Sequence, residues 1–140
     1  MQRIVVAAKA GADDPWLADA AASLAEQTGA EVSVVSVDGL DVEMGSTMPR
    51  SEYTEMAQGS AEAVAQRICE AGVEAEAEVR PGKVVAGVLI FAEEREADLV
   101  LVGASKRGPV AKRLLGDVSH ELVRRSRRPV MVIAPPSGDR

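Results

Sequence analysis

Aromatic side chains are almost missing from this sequence: one Trp, one Tyr and one Phe make up 2% of 140 residues. So few rings leave almost nothing for bases to stack on, and the chain is acidic, net −6 with a pI near 4.9. Neither feature suits a nucleic-acid module, so no nucleic-acid partner is expected. Cysteine is as scarce. The single Cys69 rules out an internal disulfide, and its place after Ile68, late in a helical segment, makes it an expected small buried hydrophobe. Histidine also occurs once, at His120. On a helix its neighbours in sequence point elsewhere, so neither Ser119 and His120 nor Asp117 and His120 compose a triad. No cysteine–histidine cluster suggests zinc. No catalytic residue and no metal ligand is assigned, and the chain is not expected to be an enzyme beyond, at most, weak ATP hydrolysis. Long apolar runs are missing too. None approaches the roughly 18 residues that cross a bilayer, and Met1 leads straight into IVVAA without a signal peptide's spacing. A soluble cytoplasmic protein with no membrane partner is the expectation.

What is present is a core. Apolar residues make up 46% of the chain and charged ones 27%, which suits one folded domain over residues 1–140. Strands alternate with helices along it. Ile4 to Ala8 reads as a buried parallel strand. Asp14 and Pro15 then form an N-cap and first-turn pair for a helix that Gly29 stops. Val32 to Val37 is a second strand, followed by a long irregular connection from Asp38 to Arg50. Ser51 is placed to cap a helix that ends at Gly72. The alternation VEAEAEV, Val73 to Val79, gives a third strand with one face to the core and one to water, as at a sheet margin. Pro81-Gly82 turns the chain into a helix through Val85, Leu89, Ile90 and Ala92. ADLVLV, Ala97 to Val102, is the fourth strand. A last helix carries Leu114, Leu115, Val118 and Leu122, and PVMVIA is a fifth strand ended by paired prolines. This order predicts an α/β fold, a five-stranded parallel sheet with helices on both faces. Ligands of such sheets collect beyond the strand carboxyl ends where the winding reverses, here the ends of the first and fourth strands.

Charge is uneven. Between Gly103 and Arg128 stand eight basic residues against two acidic ones, net +6, which leaves −12 for the rest of the chain. A solvated helix face with cations at its carboxyl end explains part of this, and a local anion site is the functional alternative. The stretch VGASKRGPVAKRLLGDVS, Val102 to Ser119, has the outline of an anion-holding loop, with one glycine ending a strand and another opening a helix.

The element order, PGKVVAGVLIFA, ADLVLVGAS, RLLGDVSHELVRRS and the closing RPVMVIAP together resemble the universal stress protein family across essentially the whole chain. The resemblance implies a Rossmann-like fold of the adenine nucleotide alpha hydrolase kind, a stress-response role and ATP or AMP as ligand. Nucleotide-binding members carry Gly, two residues, Gly, nine residues, then Gly and Ser or Thr. On that pattern Gly103 and Gly116 match, Lys106 replaces the middle glycine and Asp117 the hydroxyl. Val118 follows, and Ser119 matches a further small polar position that faces phosphates. Ala7 and Val37 match apolar positions flanking adenine, and Lys9 stands where members carry an acid.

Each departure has a physical weight. Lys106 opposes the close backbone approach that glycine permits, although its ammonium offsets this as a point charge. Asp117 sets a carboxylate beside the phosphate, and two charges about 4 Å apart repel by roughly 4 kcal/mol at an effective dielectric near 20. Three arrangements are open. Asp117 pairs with Lys9 or Lys106 and fills the anion's place; all three side chains point to solvent; or Asp117 holds a divalent ion shared with the phosphates. The leading reading is a binding and self-associating protein with a degraded ATP pocket, acting on an unidentified protein partner, and the alternative is an intact ATP or AMP sensor. The fifth strand is apolar and uncharged, so Val130, Met131, Val132 and Ile133 are expected to pair with a second copy as a homodimer. The resemblance implies the same contact, whereas a central strand would read alike.

Overall fold

In a computed structural model describing residues 1–39, 49–104 and 116–136, with the backbone alone at Gly116 and Asp117, β1 is Arg3–Ala7 and lies mid-sheet. The run RIVVA suits that place, because a parallel strand covered on both faces needs apolar side chains in both directions. Around it stand β2 (Glu31–Val37), β3 (Ala75–Arg80), β4 (Leu99–Gly103) and β5 (Val130–Ile133), all parallel, in the order β3-β2-β1-β4-β5. Ile4 is in register with Val32 and Leu99, so the winding reverses between β1 and β4 as the sequence predicts. β5 is an edge strand, which removes the central-strand alternative.

Four helices cover the sheet: α1 (Pro15–Thr28), α2 (Arg50–Glu70), α3 (Val84–Glu94) and α4 (Gly116–Arg125). Ile4, Val6, Val32, Val34, Leu99 and Leu101 pack in one apolar cluster with side chains of α1 and α2. Val5, Ala7, Val35, Val37, Val100 and Val102 pack on the other face with those of α3 and α4. Ala18, Ala21, Ala22 and Ala25 line the buried side of α1, and such small side chains let a helix lie close to a sheet. Gly29 ends α1 at φ 79, where glycine is favoured, and its N–H donates to Ala25 O at 2.7 Å.

Several local expectations change. Pro15 opens α1, yet the Asp14 side chain makes no capping hydrogen bond to the helix. Ser51 lies inside α2, which begins one residue earlier with Pro49 at the N-cap. Cys69 is exposed rather than buried, because the helix turns Ile68 inward, and its Sγ donates to Ala75 O at 3.5 Å. The glutamates of β3 do not simply meet water. Glu78 accepts from Arg95 and Arg80, Glu76 pairs with Arg95, and both guanidiniums lie over the buried Phe91 ring, Arg95 at 4.6 Å and Arg80 at 5.1 Å from its centroid. Most of the connection after Asp38, residues 40–48, lies outside the described residues, as does the loop 105–115 with Lys106.

Candidate functional site

The candidate crevice lies above the carboxyl ends of β1 and β4. Ala7, in register with Val102, closes β1; Ala8 N–H donates to Val35 O at 2.8 Å, and Lys9 follows, exposed. A turn then returns Ala12 N–H to Lys9 O at 3.0 Å. Gly11 donates its N–H to Ser60 Oγ at 2.8 Å, and its φ of 83 favours glycine there. At the other lip, Gly103 ends β4 and its carbonyl accepts the Ser119 hydroxyl at 3.1 Å. Ser119 is 3% exposed, while Val118 is exposed. Ala104 N–H donates to Ile133 O at 2.8 Å, which ties this lip to β5.

The geometry brings together Ala7, Gly103 and Ser119 with the first turn of α4, while Lys9 is placed only as an exposed residue following β1. Val37 is buried, and its methyls are engaged from the α3 side: a Cβ on Gly87 would meet Val37 Cγ2 at 2.8 Å. Lys106 and the Asp117 side chain lie outside the described residues.

Two carboxylates that the sequence reading missed stand near these strand ends. Asp14 Oδ2 lies 3.5 Å from where a Cβ on Gly103 would be, with Leu17 Cδ2 beside it at 3.9 Å. No sequence signal separates this from ordinary helix capping. Asp38, 4% exposed by side chain, follows β2 directly. It accepts from Arg50 Nη2 at 3.0 and 3.2 Å and from the Gly82 N–H at 3.1 Å, which fastens the start of α2 and the turn before α3 to the end of β2. An acid directly after a buried apolar strand was the available signal.

Carboxyls held low lie away from the crevice. Hydrogen bonds from the backbone N–H groups of Gln2 and Arg3 hold Asp98 below the usual range, and the Arg128 guanidinium does so for Glu93. An open polar depression of about 410 Å³ lies at the opposite end of the sheet, lined by Arg3, Glu31, Ser33, Glu76, Glu94, Arg95 and Glu96. Its guanidiniums already pair with Glu96, Glu76 and Glu78, so it does not compete as an anion site. Among the described residues there is no group of acids, cysteines and histidines able to hold a metal, and no helix long and apolar enough to cross a membrane.

The family model of the universal stress protein family matches residues 1–134. The chain belongs to that family. Known universal stress proteins superpose on it along nearly its whole length. One from Archaeoglobus fulgidus does so with a TM-score of 0.80 at 24% identity, covering 95% of this chain and 98% of that one. A structure of the Archaeoglobus fulgidus universal stress protein in complex with dAMP gives 0.74 at 23% identity, with the same coverage. A further universal stress protein, in complex with cAMP, gives 0.75 at 25% identity, covering 96% of this chain and 98% of that one. Among curated proteins no sequence match was found.

Proposed function

We propose that this universal stress protein works by self-association and binding rather than turnover, as a homodimer joined through β5, with a crevice closed to a triphosphate by carboxylates of its own. The observation that carries this reading is the Asp14 carboxylate beside Gly103, on the lip that the family pattern reserves for a nucleotide. Asp117, second residue of α4, adds another acid at the helix end where an anion would gain most from the dipole. One such charge about 4 Å from a phosphate costs roughly 4 kcal/mol at an effective dielectric near 20, on the order of a thousandfold in affinity. On this reading Lys9 and Lys106 supply the positive charge that would balance these carboxylates without a ligand. Ala7, Val37, Gly103, Gly116, Val118 and Ser119 retain the walls of the site.

Titration calorimetry with ATP, with and without Mg²⁺, tests this. The unaltered protein should bind ATP weakly, and Asp14→Ser or Asp117→Ser should bind it at least about tenfold more tightly. Micromolar ATP binding by the unaltered protein would overturn the reading, and tight binding that requires Mg²⁺ would assign Asp117 to a shared ion instead.

A second reading, an adenine nucleotide sensor, is favoured by the relatives named for complexes with dAMP and cAMP, ligands with a single phosphate. A monophosphate brings less negative charge toward Asp14 and Asp117 than ATP does. Under this reading AMP binds more tightly than ATP in the same titration.

Support for the dimer comes from the two sheet edges. β3 carries Glu76, Glu78 and Arg80, charges that discourage pairing with another strand, whereas VMVI in β5 carries none and leaves Met131 39% exposed. Met131→Lys should shift the protein to the monomer position in size-exclusion chromatography, and an unchanged position removes β5 as the contact.

A further inference from the structure

The outer side of α3 is the least explained surface of the molecule. From Val84 to Ala92 the helix reads VVAGVLIFA, without one polar side chain. Val88, Phe91 and Ala92 are buried against the sheet, while Val84, Val85 and Leu89 are partly buried against the same cluster. Ile90 points away and is 56% exposed, the most exposed large apolar side chain among the described residues. A helix apolar on every side normally has both faces covered. Here one is bare.

The stripe along that bare face is Lys83, Ala86, Ile90 and Glu93, spaced three, four and three residues apart. That is the spacing of neighbours down one side of a helix. It begins with an exposed cation that has no ion pair among the described residues, continues through a small and then a large apolar side chain, and ends with an exposed anion that already accepts from Arg128 and keeps its outer side open to a second cation. Such a stripe complements itself. If a second copy lies antiparallel across it about a two-fold axis level with Val88, each Ile90 falls against Ala86 of the other copy and each Lys83 against Glu93. Size and charge match in one register, as an isologous contact requires.

We infer that the outer face of α3 is a second self-association surface, occupied by α3 of another copy in antiparallel orientation. It is separate from β5, since α3 packs over β2 and β5 is the far edge of the sheet. A membrane surface suits it less well, because an interfacial helix carries a basic polar face and this helix ends in Glu93 and Glu94 on an acidic protein. One short helix pair buries much less than the roughly 1,200–2,000 Å² of a stable interface, so the contact alone is weak. Joined with β5 pairing in one particle it gains by avidity and carries assembly beyond the dimer.

Sedimentation equilibrium of the full chain tests this, with Met131→Lys as background so that the β5 contact is removed separately. The Met131→Lys protein should still self-associate, with a dissociation constant on the order of 100 µM. Adding Ile90→Glu should weaken that association at least about tenfold, and adding Lys83→Glu should weaken it less, with the effect shrinking as salt rises. Both positions are exposed, and circular dichroism confirms that the fold is kept. A Met131→Lys protein that stays monomeric into the millimolar range would overturn the inference. So would Ile90→Glu leaving self-association unchanged, which hands the face to a different protein. Should Met131→Lys match the unaltered protein, β5 pairing fails, and the effect of Ile90→Glu still decides α3.

Discussion

Single residues hold the rim of the crevice in place, and Asp38 is the clearest case. Its nearly buried carboxylate joins three chain segments, so Asp38→Ala strands the Gly82 N–H and removes the Arg50 pair. Arg50 is partly in water, which limits the loss below that of a fully buried pair. Destabilisation of about 2 kcal/mol in urea unfolding is expected. Glu96 offers the opposite test. It sits at φ 53 just past α3, where its N–H donates to Glu93 O and the next N–H, of Ala97, to Ala92 O. A side chain in that conformation costs roughly 1 kcal/mol, so Glu96→Gly should raise stability by about that amount in the same assay, less the exposed Arg3 pair. At this scale the sequence was least legible. Asp14 looked like a cap and Cys69 like core, because a side chain's final direction depends on partners far away in the chain.

Among the elements, α3 shows how one missing atom sets a distance. Gly87 sits mid-helix, where alanine is the better helix former by about 1 kcal/mol. A Cβ there would meet Val37 Cγ2 at 2.8 Å and Cγ1 at 3.2 Å. The helix must back away from β2 or Val37 must leave its rotamer, and overpacking of this kind costs about 1–3 kcal/mol. Gly87→Ala should therefore lower the unfolding midpoint despite its higher propensity. Elements were the most legible level. Runs such as IVVAA and DLVLV marked strands, and Gly29 and Gly72 marked helix ends, because these signals are local. Boundaries moved where a local signal had a competitor: Ser51 offered a cap, but the preceding Pro49 and Arg50 begin the helix one residue sooner.

For the whole molecule, ion pairing decides the response to acid. Asp98, Asp19, Glu93, Glu94 and Glu121 all have folded-state values below their ordinary ones, through hydrogen bonds from backbone N–H groups in the first case and from arginines in the others. A depressed carboxyl stabilises the fold above its unfolded value and loses that contribution as pH falls through the folded one. Thermal unfolding should therefore vary little between about pH 7 and 5 and drop progressively below about 4.5. Asp98→Asn should flatten the drop, and its midpoint at pH 7 should lie lower. Topology was legible at this level, since strict strand–helix alternation leaves few ways to wind the chain. The crevice was legible only as a location, because the segments that line it lie far apart in the sequence. The central place of β1 also bears on how the chain assembles. Its first neighbour, β2, follows within one helix, whereas the other, β4, arrives only after Ala97. Until then Ile4–Ala7 shows a raw margin that the finished sheet never displays, and the long stretch of chain that must close makes insertion of Leu99–Gly103 beside it the expected slow step of folding.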